Sequence, residues 1–211
     1  MKKIIVSAYH KSFQKRFFDI AASLVGLLSF GPIIIAISLL IKKENGGPVF
    51  FIQKRIGKNG KEFKLIKFRT MKKDAEKLKS KYLHLNDADG PVFKITNDPR
   101  YTKFGRFLAR TGLDELPQLI NVLKGEMSLV GPRPLPIYEA NKLTKSQKIR
   151  ELVKPGITSS WVVQGAHKLS FKRWMELDKE YVRNATLAQD IKILLSTFKI
   201  PLGEIYSLFI S

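Results

Sequence analysis

Residues 20–41 read IAASLVGLLSFGPIIIAISLLI and contain no charge. As a helix this run is about 33 Å long, enough to cross the hydrocarbon of a bilayer. A core helix of a soluble domain carries a polar stripe, and this segment has none. Lys42-Lys43-Glu44 follows it instead of a small-residue cleavage site, so the run is expected to stay in the protein. Gly31-Pro32 stands at its middle. Proline removes an amide donor and crowds the preceding turn, so a kink or break is expected there. Lys11, Lys15 and Arg16 precede the run and Lys42 and Lys43 follow it. Positive charge favours the cytoplasmic side, so a hairpin that enters and returns keeps both clusters inside. A tilted, kinked span is the alternative on physical grounds. Asp19 at the entry can pair with Lys15 or Arg16, which lowers the cost of holding it near lipid.

The rest of the composition agrees with a membrane surface. Among 211 residues, 38 Lys and Arg outnumber 18 Asp and Glu, a formal charge of +20. Such a chain needs an anionic partner: nucleic acid, an anionic leaflet or phosphorylated substrates. Charge alone would favour nucleic acid, but the apolar run redirects it, because basic flanks of a membrane segment bind anionic headgroups. The chain has no cysteine, which excludes disulfides, thiolate metal sites and cysteine nucleophiles.

Past the apolar run, Gly46-Gly47-Pro48 marks a turn. Residues 48–52 and 61–71 read as strands joined by Gly57-Lys58-Asn59-Gly60, a hairpin signal. Residues 72–83 read as a polar helix and 86–100 as loop. Residues 102–110 are helical, 138–152 form a charged helix, and Trp161 to Val163 suits a strand. Helices are expected over 171–182 and 187–198. The fold class is α+β and helix-rich. Residues 1–43 form a basic lead-in and Pro-broken membrane helix, and 44–211 an interfacial domain with a small β-hairpin and several amphipathic helices.

The stretch Leu113-Asp114-Glu115-Leu116-Pro117-Gln118-Leu119 carries the chemistry. Leu116, Leu119, Ile120 and Leu123 have helical spacing, and Pro117 is tolerated only in a first turn. A helix is therefore expected to begin near 113–115, with Asp114 at or beside its N-cap. Free amides there would keep the carboxylate ionised and able to attack phosphorus, with Glu115 free to hold a hard cation. Asp-Glu at a helix start is also ordinary capping without chemistry. Cations for a diphosphate are available at Arg55, Lys67, Arg69, Arg106, Arg110 and Arg133. Arg133, held between two prolines in Gly131-Pro132-Arg133-Pro134, is the stiffest of them. No P-loop string occurs, and His10, His84 and His167 lack metal-ligand spacing.

In this order the motifs resemble the bacterial sugar transferases, the small monotopic polyprenyl-phosphate phosphoglycosyl transferases. The likeness runs from about Lys15 to at least Asn184. It rests on Lys15-Arg16-Phe17-Phe18-Asp19 and on Pro48-Val49-Phe50-Phe51-Ile52-Gln53-Lys54-Arg55-Ile56-Gly57. It continues through Lys67-Phe68-Arg69-Thr70-Met71, the Asp114 segment, Val130-Gly131-Pro132-Arg133-Pro134 and Lys154-Pro155-Gly156-Ile157-Thr158. Leu177-Asp178-Lys179-Glu180-Tyr181-Val182-Arg183-Asn184 closes it. The resemblance implies a re-entrant helix broken at Gly31 and Pro32, placed at the cytoplasmic face of the bacterial inner membrane. It implies Mg²⁺, a UDP-sugar donor and a polyprenyl (undecaprenyl) phosphate acceptor on an anionic membrane, in the first membrane step of glycoconjugate synthesis. Asp114 would attack the β-phosphate and expel UMP, Glu115 would bind the metal, and Lys67, Arg69, Arg110 and Arg133 would hold phosphates. A nucleic acid is not among the implied partners, and a homodimer is one candidate assembly.

Three positions depart from the pattern. Phe30-Gly31-Pro32 stands where Ser-Pro is frequent, Ser159-Ser160-Trp161 where Gly-Trp is usual, and Val163-Gln164-Gly165-Ala166-His167 where Asn-Gly-Arg is common. Two other readings are an inactive membrane scaffold of the same family and a membrane-tethered nucleic-acid-binding protein. Turnover of a UDP-sugar separates the first reading from both.

Overall fold

A computed structural model describes residues 5–165 and 169–210, with the side chains of all of these except 45, 202 and 204–210. Helix α1 spans Phe13–Asn45, well beyond the uncharged run at both ends. Ser12 caps its start by accepting the Lys15 amide, and Gly46 ends it in the left-handed conformation (φ +62°). The chain is helical on both sides of Pro32, which lies inside α1 and leaves one helical hydrogen bond unmade. Among the described residues α1 is the one helix long and apolar enough to cross a bilayer.

One stripe of α1 faces the domain and the opposite stripe is greasy and bare. Lys15, Asp19, Ser23, Ile37 and Ile41 are buried, whereas Phe17, Leu24, Val25, Leu28, Ile35 and Leu39 are exposed. The N-terminal arm packs through Phe18, Ala22 and Leu27 on the main core of Leu65, Leu119, Val122 and Val130. The C-terminal arm packs through Ile34, Ile37 and Ile41 on Phe68 and Leu108.

The hairpin forms as expected. Strands β1 (Phe50–Ile56) and β2 (Glu62–Phe68) pair antiparallel, with Arg55 opposite Phe63 and Phe51 opposite Lys67. Opposed residues share a face, so Arg55 and Lys67 both lie on the face that buries Phe63 and Leu65. Asn59 takes the left-handed conformation in the turn.

Helix α2 (Lys103–Thr111) starts at Thr102, whose hydroxyl accepts the Gly105 amide, and ends at Gly112. Helix α3 (Gln118–Lys124) follows, then β3 (Ser128–Val130), the short α4 (Ile137–Ala140) and β4 (Gly156–Thr158). Strands β3 and β4 pair in parallel. A Cβ on Gly156 would collide with the Gly131 amide, so this crossing requires glycine. Helices α5 (Ser160–Val163), α6 (Phe171–Asn184) and α7 (Leu187–Ile210) complete the chain.

Three expectations are corrected. Residues 72–83 form turns followed by a 3₁₀ helix, Ser80–Leu85, not a polar helix. The Arg100 side chain donates to the Ala75 carbonyl and the Arg100 carbonyl accepts from the Lys72 amide, and these bonds displace a regular ladder. The helix expected over 138–152 stops at Ala140 and resumes as a 3₁₀ turn, Gln147–Leu152. Thr144 and Gln147 exchange side-chain and backbone hydrogen bonds there, a capping box that restarts the chain. Trp161 to Val163 is the helical turn α5, because Ser159 caps the Val162 amide.

Candidate active site

The Asp114 turn differs from the expected helix start. Leu113–Glu115 is a 3₁₀ turn, and α3 begins only at Gln118, with Pro117 before it. The Glu115 and Leu116 amides bond back to the Gly112 and Leu113 carbonyls. They are therefore spent inside the turn, and no row of free amides faces Asp114. What holds Asp114 is burial and side-chain charge. It is 5% exposed, and its ion pair is a long one, 3.6 Å to Lys67 Nζ. Burial, opposed by Lys67 and reinforced by the neighbouring Glu115, pushes its carboxyl up to about 6. The carboxylate is thus ionised at neutral pH, held by Lys67 rather than by free helix amides.

Glu115 faces the other cation. Its Oε1 accepts from Arg133 Nη1 at 2.7 Å, and this pairing raises the Arg133 guanidinium further above its ordinary value. A buried position and the Asp114 charge push the Tyr101 hydroxyl up to about 12, so it stays protonated beside the carboxylates. Burial and Arg133 push Lys94 down to about 8.

Arg133 is carried on a rail that its prolines dictate. Pro132, Pro134 and Pro136 have no amide to donate, so the segment is held by its carbonyls. Pro132 O accepts from Gly156 N, Arg133 O from Arg150 Nη2, Pro134 O from Arg55 Nη1, Leu135 O from Ile56 N and Pro136 O from the Glu139 and Ala140 amides. Arg150 is itself fixed by Asp178 at 2.8 Å, both side chains buried.

A small cavity of about 10 Å³, room for about one water, opens beside these groups. Arg55, Lys67, Gln118 and Arg133 line its polar side, and Leu65, Pro134 and Gly156 the remainder. Lys67, Asp114, Glu115 and Arg133 are therefore brought together. Arg110 is not: it is exposed on α2 and reaches Asn97 Oδ1 at 3.5 Å. Arg69 is half-buried and makes no ion pair among the described residues. Gly31, half-buried, and Pro32, exposed, lie in the middle of α1. Tyr101, Gln118 and the Arg150–Asp178 pair were not foreseen as parts of it. The alternation of β1 and β2 could have joined Arg55 to Lys67. Ala166 and His167, in the segment departing from the family pattern, lie outside the described residues.

The donor set bears on a metal. Among the described residues no three carboxylates or imidazoles converge. Asp114 and Glu115 supply two carboxylates next to cations, which suits a hard ion that arrives on substrate phosphates and keeps most of its waters.

A long helix with a bare apolar stripe thus stands on a domain where two carboxylates meet several cations. The chain belongs to the bacterial sugar transferase family, whose model matches residues 10–204. It is 44% identical over 195 residues to the galactosyl transferase CpsE of Streptococcus agalactiae, covering 92% of this chain and 43% of that protein. It is 39% identical over 198 residues to the undecaprenyl-phosphate galactose phosphotransferase of Salmonella typhimurium, covering 90% and 40%. With the exopolysaccharide production protein ExoY of Rhizobium meliloti the identity is 37% over 187 residues, covering 87% and 83%. The chain thus spans about two fifths of the length of the first two and most of the third.

Proposed function

We propose that this protein is a phosphoglycosyl transferase that moves a sugar-1-phosphate from a UDP-sugar to undecaprenyl phosphate, the opening membrane step of exopolysaccharide or capsule synthesis. The observation that carries the reading is a buried, weakly stabilised carboxylate, Asp114, between Lys67 and the Glu115–Arg133 pair beside a cation-lined cavity. In the first half-reaction an Asp114 oxygen bonds to the β-phosphorus as the bond from that phosphorus to the bridging oxygen breaks. UMP leaves with the electron pair. In the second, an oxygen of the lipid phosphate bonds to the same phosphorus and frees the Asp114 carboxylate. Lys67 and Arg133 neutralise the non-bridging oxygens. Mg²⁺ bound through Glu115 would supply further charge neutralisation on the diphosphate. Burial withholds water that would otherwise hydrolyse the aspartyl phosphosugar. UMP release from UDP-galactose or UDP-glucose with undecaprenyl phosphate, absent in Asp114→Asn, tests the reading. Normal turnover by that variant would overturn it.

The membrane arrangement is part of this proposal. Residues 1–43 seat the protein in the cytoplasmic leaflet, α1 entering and returning, and 44–211 form the catalytic part. Support comes from both arms of α1 docking on the same domain: Arg16 on the Val122 and Leu123 carbonyls, and Ile37 and Ile41 on Phe68 and Leu108. Leu28 and Ile33, between the arms, are exposed. Because the chain has no cysteine, Lys11→Cys and Lys43→Cys can be tested singly in inverted and right-side-out vesicles. Both should react with an impermeant maleimide from the cytoplasmic side only. Labelling from opposite sides would make α1 a span.

A further inference from the structure

The cavity holds one cation that neither the ion pairs nor the proposed chemistry uses. Lys67 faces Asp114 and Arg133 faces Glu115, but Arg55 has no carboxylate within ion-pair distance among the described residues. Its Nη1 donates to the Pro134 carbonyl at 3.0 Å, and its Nε is buried without a partner. It lines the same cavity as Lys67 and Arg133. The register of the hairpin fixes it there, because Arg55 and Lys67 occupy the same inward face. A guanidinium is thus held in a partly dry place beside a second guanidinium, with its anchor a neutral carbonyl. Its charge is disfavoured first by burial and then by Arg133. Glu139 and Glu115 lie near enough to favour its charge but neither pairs with it, and a bound anion would relieve the desolvation and the repulsion that outweigh them. The planar fork, with one nitrogen tied to the rail, leaves the remaining nitrogens for phosphate oxygens.

We propose that Arg55 is a phosphate-binding residue, the third cation of an anion pocket that it lines with Lys67, Arg133 and Gln118. Its ligand is a phosphate monoester, either the nucleotide phosphate that leaves with UMP or the phosphate of the lipid acceptor. This inference rests on the function proposed above and adds a residue to it. Arg55 also ties the pocket to the rail, so that one side chain sets the distance between the bound phosphate and Arg133.

The test is titration of the full chain in lipid nanodiscs with UMP and, separately, with undecaprenyl phosphate, for the unaltered protein, Arg55→Gln and Arg55→Lys. Thermal melting establishes that each variant is folded. Arg55→Gln should bind at least one of the two about tenfold more weakly, and Arg55→Lys, which keeps the charge but not the fork, should lose less. Weakening confined to UMP assigns the nucleotide as source, and weakening confined to the lipid assigns the acceptor. A folded Arg55→Gln that binds both within twofold of the unaltered protein overturns the inference. Unaltered protein that binds neither ligand overturns the function proposed above, and this inference with it. Should Arg55→Gln fail to fold, the structure of the unaltered protein with UMP or undecaprenyl phosphate decides. A phosphate oxygen about 3 Å from the Arg55 guanidinium is expected, and a bound phosphate more than about 6 Å away in both complexes overturns the assignment.

Discussion

Asp190 and Asp114 are both carboxylates withdrawn from water, 0% and 5% exposed, but their surroundings are opposite. Asp190, at the start of α7, accepts from Lys15 Nζ, the Tyr9 hydroxyl at 2.9 Å and the Tyr181 hydroxyl at 2.7 Å. The same Lys15 also lies 3.3 Å from Asp19, whose Oδ1 accepts from Ser128 and the Leu129 amide. That cluster is closed, and it rivets α1, β3 and α7 together. Asp114 has a single long ion pair and a neighbouring carboxylate, next to a cavity. A closed cluster of this kind fixes the fold. An open one leaves a charge under-stabilised where a substrate can complete it, so stability is given up where reactivity is needed.

The comparison is broken most severely at Asp114. Asp114→Asn should lower turnover by about a thousandfold or more, since it removes the proposed nucleophile. The same variant should melt at or a few degrees above the parent at pH 8. A carboxyl raised to about 6 when folded costs stability above that pH. A clear loss of melting temperature would mean that Asp114 is a structural anion. The mirror experiment is Asp190→Asn. It leaves Lys15 buried with one less carboxylate and should cost about 3–5 kcal/mol by denaturant unfolding. Where the variant remains folded, KM should be near that of the parent.

Acid sharpens the contrast further. Turnover should fall about tenfold per pH unit below about 6, as Asp114 takes up a proton. Stability has the opposite tendency at this one group. The unfolded carboxyl ionises near its ordinary value and the folded one near 6, so between them the folded state holds more protons. Asp114 therefore makes stability decline as pH rises through that window, and Asp114→Asn should flatten the slope. The smaller effects lie among the cations. Arg133→Lys loses the fork toward Glu115 and should raise the donor KM about tenfold. Arg110→Ala should stay within about twofold, because Arg110 reaches only Asn97 at an exposed position.

The parts of the molecule governed by local rules were readable from residues alone. An uncharged run, a Gly-Lys-Asn-Gly turn and the helical pattern over 102–110 each specify their element by nearest-neighbour chemistry, and α1, the hairpin and α2 follow. Asp114, Glu115, Lys67 and Arg133 are legible through motif and charge, and ion pairs join Lys67 to Asp114 and Arg133 to Glu115. The misread segments turn on hydrogen bonds, distant or local, that the apolar pattern does not display. The turns over 72–79 answer to Arg100, and α5 answers to a cap that a three-residue apolar run conceals. Asp114 was placed at a helix N-cap because Pro117 requires a first turn, but a 3₁₀ turn satisfies proline equally well and moves α3 along to Gln118. The closed cluster was half visible: Lys15 and Asp19 are one helical turn apart, whereas Asp190 lies 175 residues from Lys15.

The central claim is that an unprotonated Asp114, set beside bound phosphate at the membrane surface, becomes covalently phosphoglycosylated. Incubating the full chain with UDP-galactose or UDP-glucose and no lipid acceptor, then measuring intact mass and fragmenting the product, tests it most directly. One hexose-phosphate on Asp114 with one equivalent of UMP, discharged on adding undecaprenyl phosphate, is the predicted result. UMP that forms only when the lipid is present, with the protein mass unchanged throughout, would contradict it.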